Sequence, residues 1–101
     1  MSDLALEKAV DLLGCMAHPV RFSALRHLHE HGPTHVSALV DLLRVEQSAL
    51  SHHLRRLRDA GLVVGDRQGK QIVYRLHDEH IGCILADTLA HAAELVNEEE
   101  A

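Results

Sequence analysis

Asp78, His80, His91 and Glu94 are the residues whose types and spacing could bind a metal ion. Imidazole nitrogen and carboxylate oxygen are donors that Zn²⁺ takes in tetrahedral sites, at about 2.0–2.2 Å. His80 and His91 stand 11 positions apart in a stretch with helical periodicity. At about 100° per residue both fall on one stripe, and at about 1.5 Å per residue they lie ~16 Å apart along the axis. One ion cannot bridge that distance. His91 and Glu94, one turn apart, can share an ion. So can Asp78 and His80 at the helix start, where the backbone is less constrained. Each end thus offers half a site, one imidazole and one carboxylate. Two such helices packed antiparallel across a twofold axis would set Asp78 and His80 of one chain against His91 and Glu94 of the other. That gives two equivalent N₂O₂ sites per dimer. On the residues alone, the alternative is a solvated helix face with scattered His and Glu. Asp87, on the same stripe, reads as solvated.

A second constellation lies in the middle of the chain. Gln47, Ser48, Ser51, His52, Arg55 and Arg58 fall on one side of a helical stretch. Ser, Gln and His can donate to or accept from base edges, and Arg reaches phosphate or guanine. Small polar residues at the start of the helix suit insertion of that end into a major groove. Arg67 and Lys70 follow near the tip of a hairpin, where they would hold backbone phosphates. The alternative is an ordinary solvated face on an α+β domain.

The elements that must position these groups are legible as periodicity. Residues 3–16 repeat apolar positions at Leu6, Ala9, Val10 and Leu13, one face of a helix. His18 and Pro19 open a second helix, with Pro at its first position and the stripe Phe22, Leu25 and Leu28; Gly32 and Pro33 stop it. Thr34 is the expected N-cap of a short helix ending at Leu43. Gln47 to Ala60 is a further helix, with Leu50, Leu54 and Leu57 inward and Gly61 at its stop. The period then switches. Leu62–Arg67 and Gln71–Leu76 are short β-branched runs joined through Gln68, Gly69 and Lys70, a hairpin. Helical spacing returns from Asp78 to Asn97 in Ile81, Ile84, Leu85, Thr88, Ala92 and Leu95, with residues 98–101 expected to fray. The expected architecture is mainly α with a β-hairpin wing, an α+β winged helix-turn-helix in the order ααααββα, formed by one domain over residues 1–101. The first and last helices, each with an apolar stripe, are expected to form a homodimer interface.

Composition bounds the partners. The 101 residues carry a formal net charge of −5, which taken whole argues against nucleic acid. Split by segment, residues 21–76 hold nine Lys/Arg against five Asp/Glu, a balance of +4. Residues 77–101 hold seven acids and no Lys or Arg, a balance of −7. A basic middle fits a nucleic-acid face, and an acidic end fits a cation site. Phe22 and Tyr74 are the only aromatics, too few for a platform that stacks single-stranded bases. No apolar run approaches the ~20 residues of a membrane span, and the N-terminus lacks the basic flank of a signal peptide. Cys15 and Cys83 are too few for a disulfide framework, which points to a reducing cytoplasm. No nucleophile or phosphate loop accompanies the His and carboxylate set, so neither an enzyme nor a small-molecule substrate is expected.

Met16-Ala-His-Pro-Val-Arg-Phe-Ser-Ala-Leu-Arg, then Gln47-Ser-Ala-Leu-Ser-His-His-Leu-Arg-Arg-Leu-Arg-Asp-Ala-Gly-Leu-Val, then Gly69-Lys-Gln-Ile-Val-Tyr-Arg-Leu, resembles the ArsR/SmtB family of metal-responsive winged-helix repressors. The resemblance spans roughly residues 10–96. It implies a homodimer that binds double-stranded operator DNA with an inverted repeat and leaves it when an inducer binds. It places Gln47, Ser48, Ser51 and His52 at the family's base-facing positions. Asp-x-His-x₁₀-His-x₂-Glu also resembles the family's C-terminal-helix zinc site. Two departures stand out. Glu46 occupies a position where relatives often carry a capping Ser, and puts an acid near DNA phosphates. Thr34-His-Val-Ser stands where the family's other sensing site carries cysteines, which argues against soft thiophilic ions.

Two imidazoles and two carboxylates in a closed tetrahedron suit Zn(II); Ni(II) or Co(II) would draw further ligands from water or a bidentate carboxylate. His91 is expected to donate its second ring nitrogen to a main-chain carbonyl near Gly61, linking the metal site to the reading helix. His52 and His53 are assigned to the DNA face and the surface, and His27, His29, His31 and His35 mostly to solvent, with a weak adventitious metal site there as the lesser alternative. The competing reading is a thiol or redox switch through Cys15 and Cys83, although nothing around either cysteine is clearly basic, which argues against an activated thiol. A third is an interaction module that has lost DNA binding.

Overall fold

A computed structural model describes residues 2–101. Five helices, α1 (Asp3–Met16), α2 (Pro19–His31), α3 (Val36–Leu43), α4 (Gln47–Asp59) and α5 (Glu79–Glu100), surround a small sheet. Its strands are β1 (Thr34–His35), β2 (Val63–Gln68) and β3 (Gln71–Leu76), in the spatial order β1-β3-β2. Both pairings are antiparallel: Val63 faces Leu76 and Gln68 faces Gln71 in the hairpin, while Thr34 faces Tyr74 on the other side of β3.

The helix starts follow from side chains that satisfy free backbone N–H groups. The Ser2 hydroxyl accepts from Ala5 N–H at 3.1 Å, and Asp78 Oδ1 accepts from His80 N–H at 3.0 Å. His18 Nδ1 accepts from Val20 N–H at 3.1 Å, and Pro19 follows at the first position of α2. The expectation for Thr34 is corrected here. His35 is the N-cap of α3 and makes no side-chain capping bond, while Thr34 extends into β1 and its hydroxyl donates to the Gly32 carbonyl at 2.9 Å. A two-residue strand is too short for any alternating pattern, so the third strand left no sequence signal. The C-terminal helix also continues to Glu100, beyond the expected fraying point at residue 97.

The core is aliphatic. Leu25, Leu39, Leu50, Leu54, Leu57 and Leu85 are fully buried, joined by Met16, Leu28, Leu62, Val63, Tyr74 and Ile81. Burying each Leu contributes roughly 1.5–3 kcal/mol. Three of them belong to α4, so this helix is anchored along one complete face. At Gly82, α5 comes so near α2 that a Cβ there would overlap the His29 ring.

Candidate DNA-reading face and metal half-sites

With Leu50, Leu54 and Leu57 turned inward, α4 presents Gln47, Ser48, His52, Arg55 and Arg58 to solvent, and Ser51 is half-buried. Gln47 and Ser51 share a cleft of about 180 Å³ with Val36 and Ser37 of α3 and with Lys70, Gln71 and Ile72 of the wing. The start of α4 and the tip of the hairpin therefore flank one groove. Arg67 Nε donates to the Gly69 carbonyl at 3.3 Å across the hairpin turn, where Gly69 takes φ 64°. Arg58 is drawn to Asp59 at 3.2 Å and Arg75 to Asp66 at 3.3 Å. Arg55 and Lys70 enter no ion pair among the described residues, which leaves both charges available on this side. Glu46 does not cap α4 with its side chain; its carboxylate accepts from the Ser48 hydroxyl.

His53 is not the surface residue that its neighbour His52 suggested. Its ring lies 4.4 Å from that of His18, centroid to centroid, and its Nδ1 is buried without a hydrogen-bond partner. Burial, then the neighbouring His18, Arg21, His52 and Arg56, hold its pKa below the ordinary imidazole value.

On α5 the expected ligands form two separate pairs. Asp78 Oδ1 lies 3.2 Å from His80 Nδ1 at the helix start, and His91 Nδ1 lies 3.7 Å from Glu94 Oε2 three turns on. All four side chains are exposed, His80 at 93%. Asp78 also accepts from His77 Nδ1 at 3.3 Å; that bond, with the backbone N–H of His80, holds its carboxyl below the usual range. Among the described residues no three His, Cys, Asp or Glu gather closely enough for one ion. The donor chemistry fits a borderline divalent cation, but one chain supplies only two donors at each end.

The apolar seam of α5 differs from the expected one. Ile81 and Leu85 turn into this chain's own core, and the Thr88 hydroxyl donates to the Ile84 carbonyl at 2.7 Å. The exposed apolar residues are Ile84, Leu95 and Val96 on α5, with Leu4, Leu6, Val10 and Leu13 on α1. Between these helices runs an apolar groove of about 390 Å³, lined by Leu12, Leu13, Met16, Ile81 and Ile84, with Asp78, His80 and Gly61 among its walls. Within the chain it is thus the His80 end, and not His91, that lies beside Gly61. The His91 ring lies against Glu94.

The surroundings of Cys15 also differ from the expectation that nothing basic stands near it. Its carbonyl accepts from Arg21 Nε at 2.7 Å, its thiol points to the Arg56 carbonyl at 3.8 Å, and Arg21, Arg56, Asp11 and Asp59 line one cleft with it. The sequence could not show this, because Arg56 lies 41 positions away. Cys83 is exposed on α5.

This arrangement of helices and hairpin matches known proteins. A helix-turn-helix domain model matches residues 16–66. The transcriptional regulator NmtR of Mycobacterium tuberculosis is 42% identical over 91 residues, covering 90% of this chain and 75% of that protein. The chain belongs to the ArsR/SmtB family of winged-helix transcriptional regulators. Another member, the transcriptional repressor SmtB of the same organism, is 43% identical over 88% of this chain. The chain spans 65% of SmtB's length. HlyU of Vibrio cholerae superposes with a TM-score of 0.79 at 32% identity, over 91% of this chain and 97% of that structure. NmtR and SmtB are transcriptional regulators, which agrees with the expectation of a non-enzyme. No helix among the described residues is long and apolar enough to cross a membrane.

Proposed function

We propose that this chain is a metal-responsive transcriptional repressor that binds inverted-repeat operator DNA as a homodimer and releases it when Zn(II), or else Ni(II) or Co(II), binds between the C-terminal helices. The observation that carries this reading is the splitting of the ligand set. Asp78 with His80 and His91 with Glu94 are two-donor pairs at separate places on α5, beside exposed apolar residues that a second copy would cover. Exposed Leu and Val over α1 and α5 favour pairing by burial.

In this reading Gln47, Ser48, Ser51 and His52 read base edges, Arg55 and the wing residues Arg67 and Lys70 hold phosphates, and dimer spacing sets the operator half-sites. A divalent ion supplies a cross-link between the two α5 helices. Asp78 and His80 stand at the wall of the groove that includes Gly61, just beyond the end of α4. A shift of the α5 start is therefore transmitted to the end of the reading helix, and the two reading heads lose their match to successive major grooves. DNA and metal must weaken each other's binding by the same factor.

The test is operator binding at fixed salt with Zn, Ni, Co or Cu, for wild type, His80→Ala and His91→Ala. Both variants should bind DNA without responding to metal. Mixed dimers of the two variants should regain one working site, because the intact halves meet across the twofold. A metal response in either homodimer, or none in the mixed dimer, overturns the reading. Intense visible bands with Co(II) mark a tetrahedron; weak ones mark six ligands.

A second reading is a thiol switch through Cys15, which shares a cleft with Arg21, Arg56, Asp11 and Asp59, and the exposed Cys83. It requires DNA release on oxidation without metal, and loss of that response in Cys15→Ser.

A further inference from the structure

The geometry points to a second metal site on this chain, formed by His27 and His31 on the last turns of α2, that binds one late transition-metal ion per protomer as a two-imidazole chelate. Positions i and i+4 are neighbours on a helix surface. Here the two rings stand 4.6 Å apart, centroid to centroid, and are tilted by 32°. An ion about 2.0–2.1 Å from each donor nitrogen lies roughly 3 Å from each ring centre. At the roughly 90–110° between neighbouring ligands, the ring centres are then about 4–5 Å apart, the separation already present. Side-chain rotations would aim one nitrogen of each ring at a shared point.

Two neighbouring features favour a cation there. His31 is the last residue of α2, where the helix dipole presents its negative end. Glu30 Oε2 lies 4.0 Å from His31 Nε2, while Glu30 Oε1 is held by Arg26 at 2.9 Å. The carboxylate adds negative charge and can supply a third, oxygen donor; water fills the remaining positions.

The site is separate from the α5 ligands. His29, whose ring packs against Gly82 of α5, lies two positions from both His27 and His31 and so points to the opposite side of α2. The pair is also complete within one chain, unlike the α5 half-sites. Two imidazoles with open positions bind in the order Cu²⁺ > Ni²⁺ > Zn²⁺. The protein would therefore carry a nitrogen-rich surface chelate that takes up Ni(II) or Cu(II) whether or not the α5 site is loaded.

The test uses the full chain carrying His80→Ala and His91→Ala, which disables the α5 ligands, titrated with Ni(II) alone by calorimetry at neutral pH. One equivalent per protomer is expected. Adding His27→Ala or His31→Ala should remove it or weaken it by about tenfold or more, as a chelate becomes a single ligand. His31→Gln should do the same, while His29→Ala should leave the equivalent in place. Circular dichroism checks that each variant keeps its helices. With Cu(II), electron paramagnetic resonance should lose one coordinated nitrogen on removal of either ring. An unchanged Ni(II) equivalent in both His27→Ala and His31→Ala overturns the site. So does its loss in His29→Ala with helicity intact. Because both α5 imidazoles are absent throughout, failure here is distinct from failure of the α5 sensor.

Discussion

The His18 and His53 rings lie 4.4 Å apart and tilted by 42°, joining the cap of α2 to the middle of the reading helix. His18 Nδ1 is committed to Val20 N–H, and His53 Nδ1 is buried without a partner. A proton on His53 would meet His18 and Arg21 from α2, and His52 and Arg56 from its own helix. Its folded pKa is lowered, so the unfolded chain binds this proton more readily. Stability is therefore unaffected well above the ordinary imidazole pKa of about 6.5, and falls as pH drops below it. Urea midpoints between about pH 5 and 8 should decline on the acid side, and His53→Gln should flatten that decline. An unchanged slope in the variant rules out this assignment.

Gly82 gives a prediction whose sign depends on its neighbour. In the native background, Gly82→Ala should cost about 1 kcal/mol, because the new methyl overlaps the His29 ring and forces it to move. In a His29→Ala background the same change should stabilise by up to about 1 kcal/mol, the helix preference of Ala over Gly. A double-mutant cycle in urea measures the coupling, and additivity of the two changes would refute the contact.

Leu54 carries the anchoring of α4. It is fully buried, and Leu54→Ala should cost about 2–5 kcal/mol. Operator affinity at a temperature where the variant stays folded should fall far less than stability does, since Leu54 faces away from Gln47 and Arg55. An operator loss as large as that of Arg55→Ala, with helicity intact, would contradict this division of labour.

Glu46→Ser should act on both the helix and the DNA. A Ser at this N-cap can accept from the backbone where Glu46 does not, adding roughly 0.5–1 kcal/mol of stability. It also frees the Ser48 hydroxyl and removes an acid beside the reading helix. Operator binding should tighten, measured by fluorescence anisotropy at fixed salt. Conversely, Arg55→Ala should weaken binding on all sequences and reduce the salt slope by about one. Weaker binding by Glu46→Ser would show that its carboxylate positions Ser48 productively.

Local sequence patterns determined much of this protein. The Leu50, Leu54, Leu57 stripe established both the buried and the reading side of α4, because a 3.6-residue period fixes which residues share a face. The switch from that period to β-branched runs around Gly69 located the wing. The spacing of His80 and His91 alone excluded a shared ion on one helix, since the helical rise is fixed. Tertiary structure decided what depends on distant parts of the chain. Thr34 became a strand because β3 offered Tyr74 as a partner, overriding its capping preference. Ile81 and Leu85 were claimed by the chain's own core, leaving Ile84, Leu95 and Val96 exposed. Arg56 reached Cys15, and His18 reached His53, only through packing of α4 on α1 and α2. Periodicity reports which residues lie side by side on one element, but which element covers them is set by the folding of the whole chain.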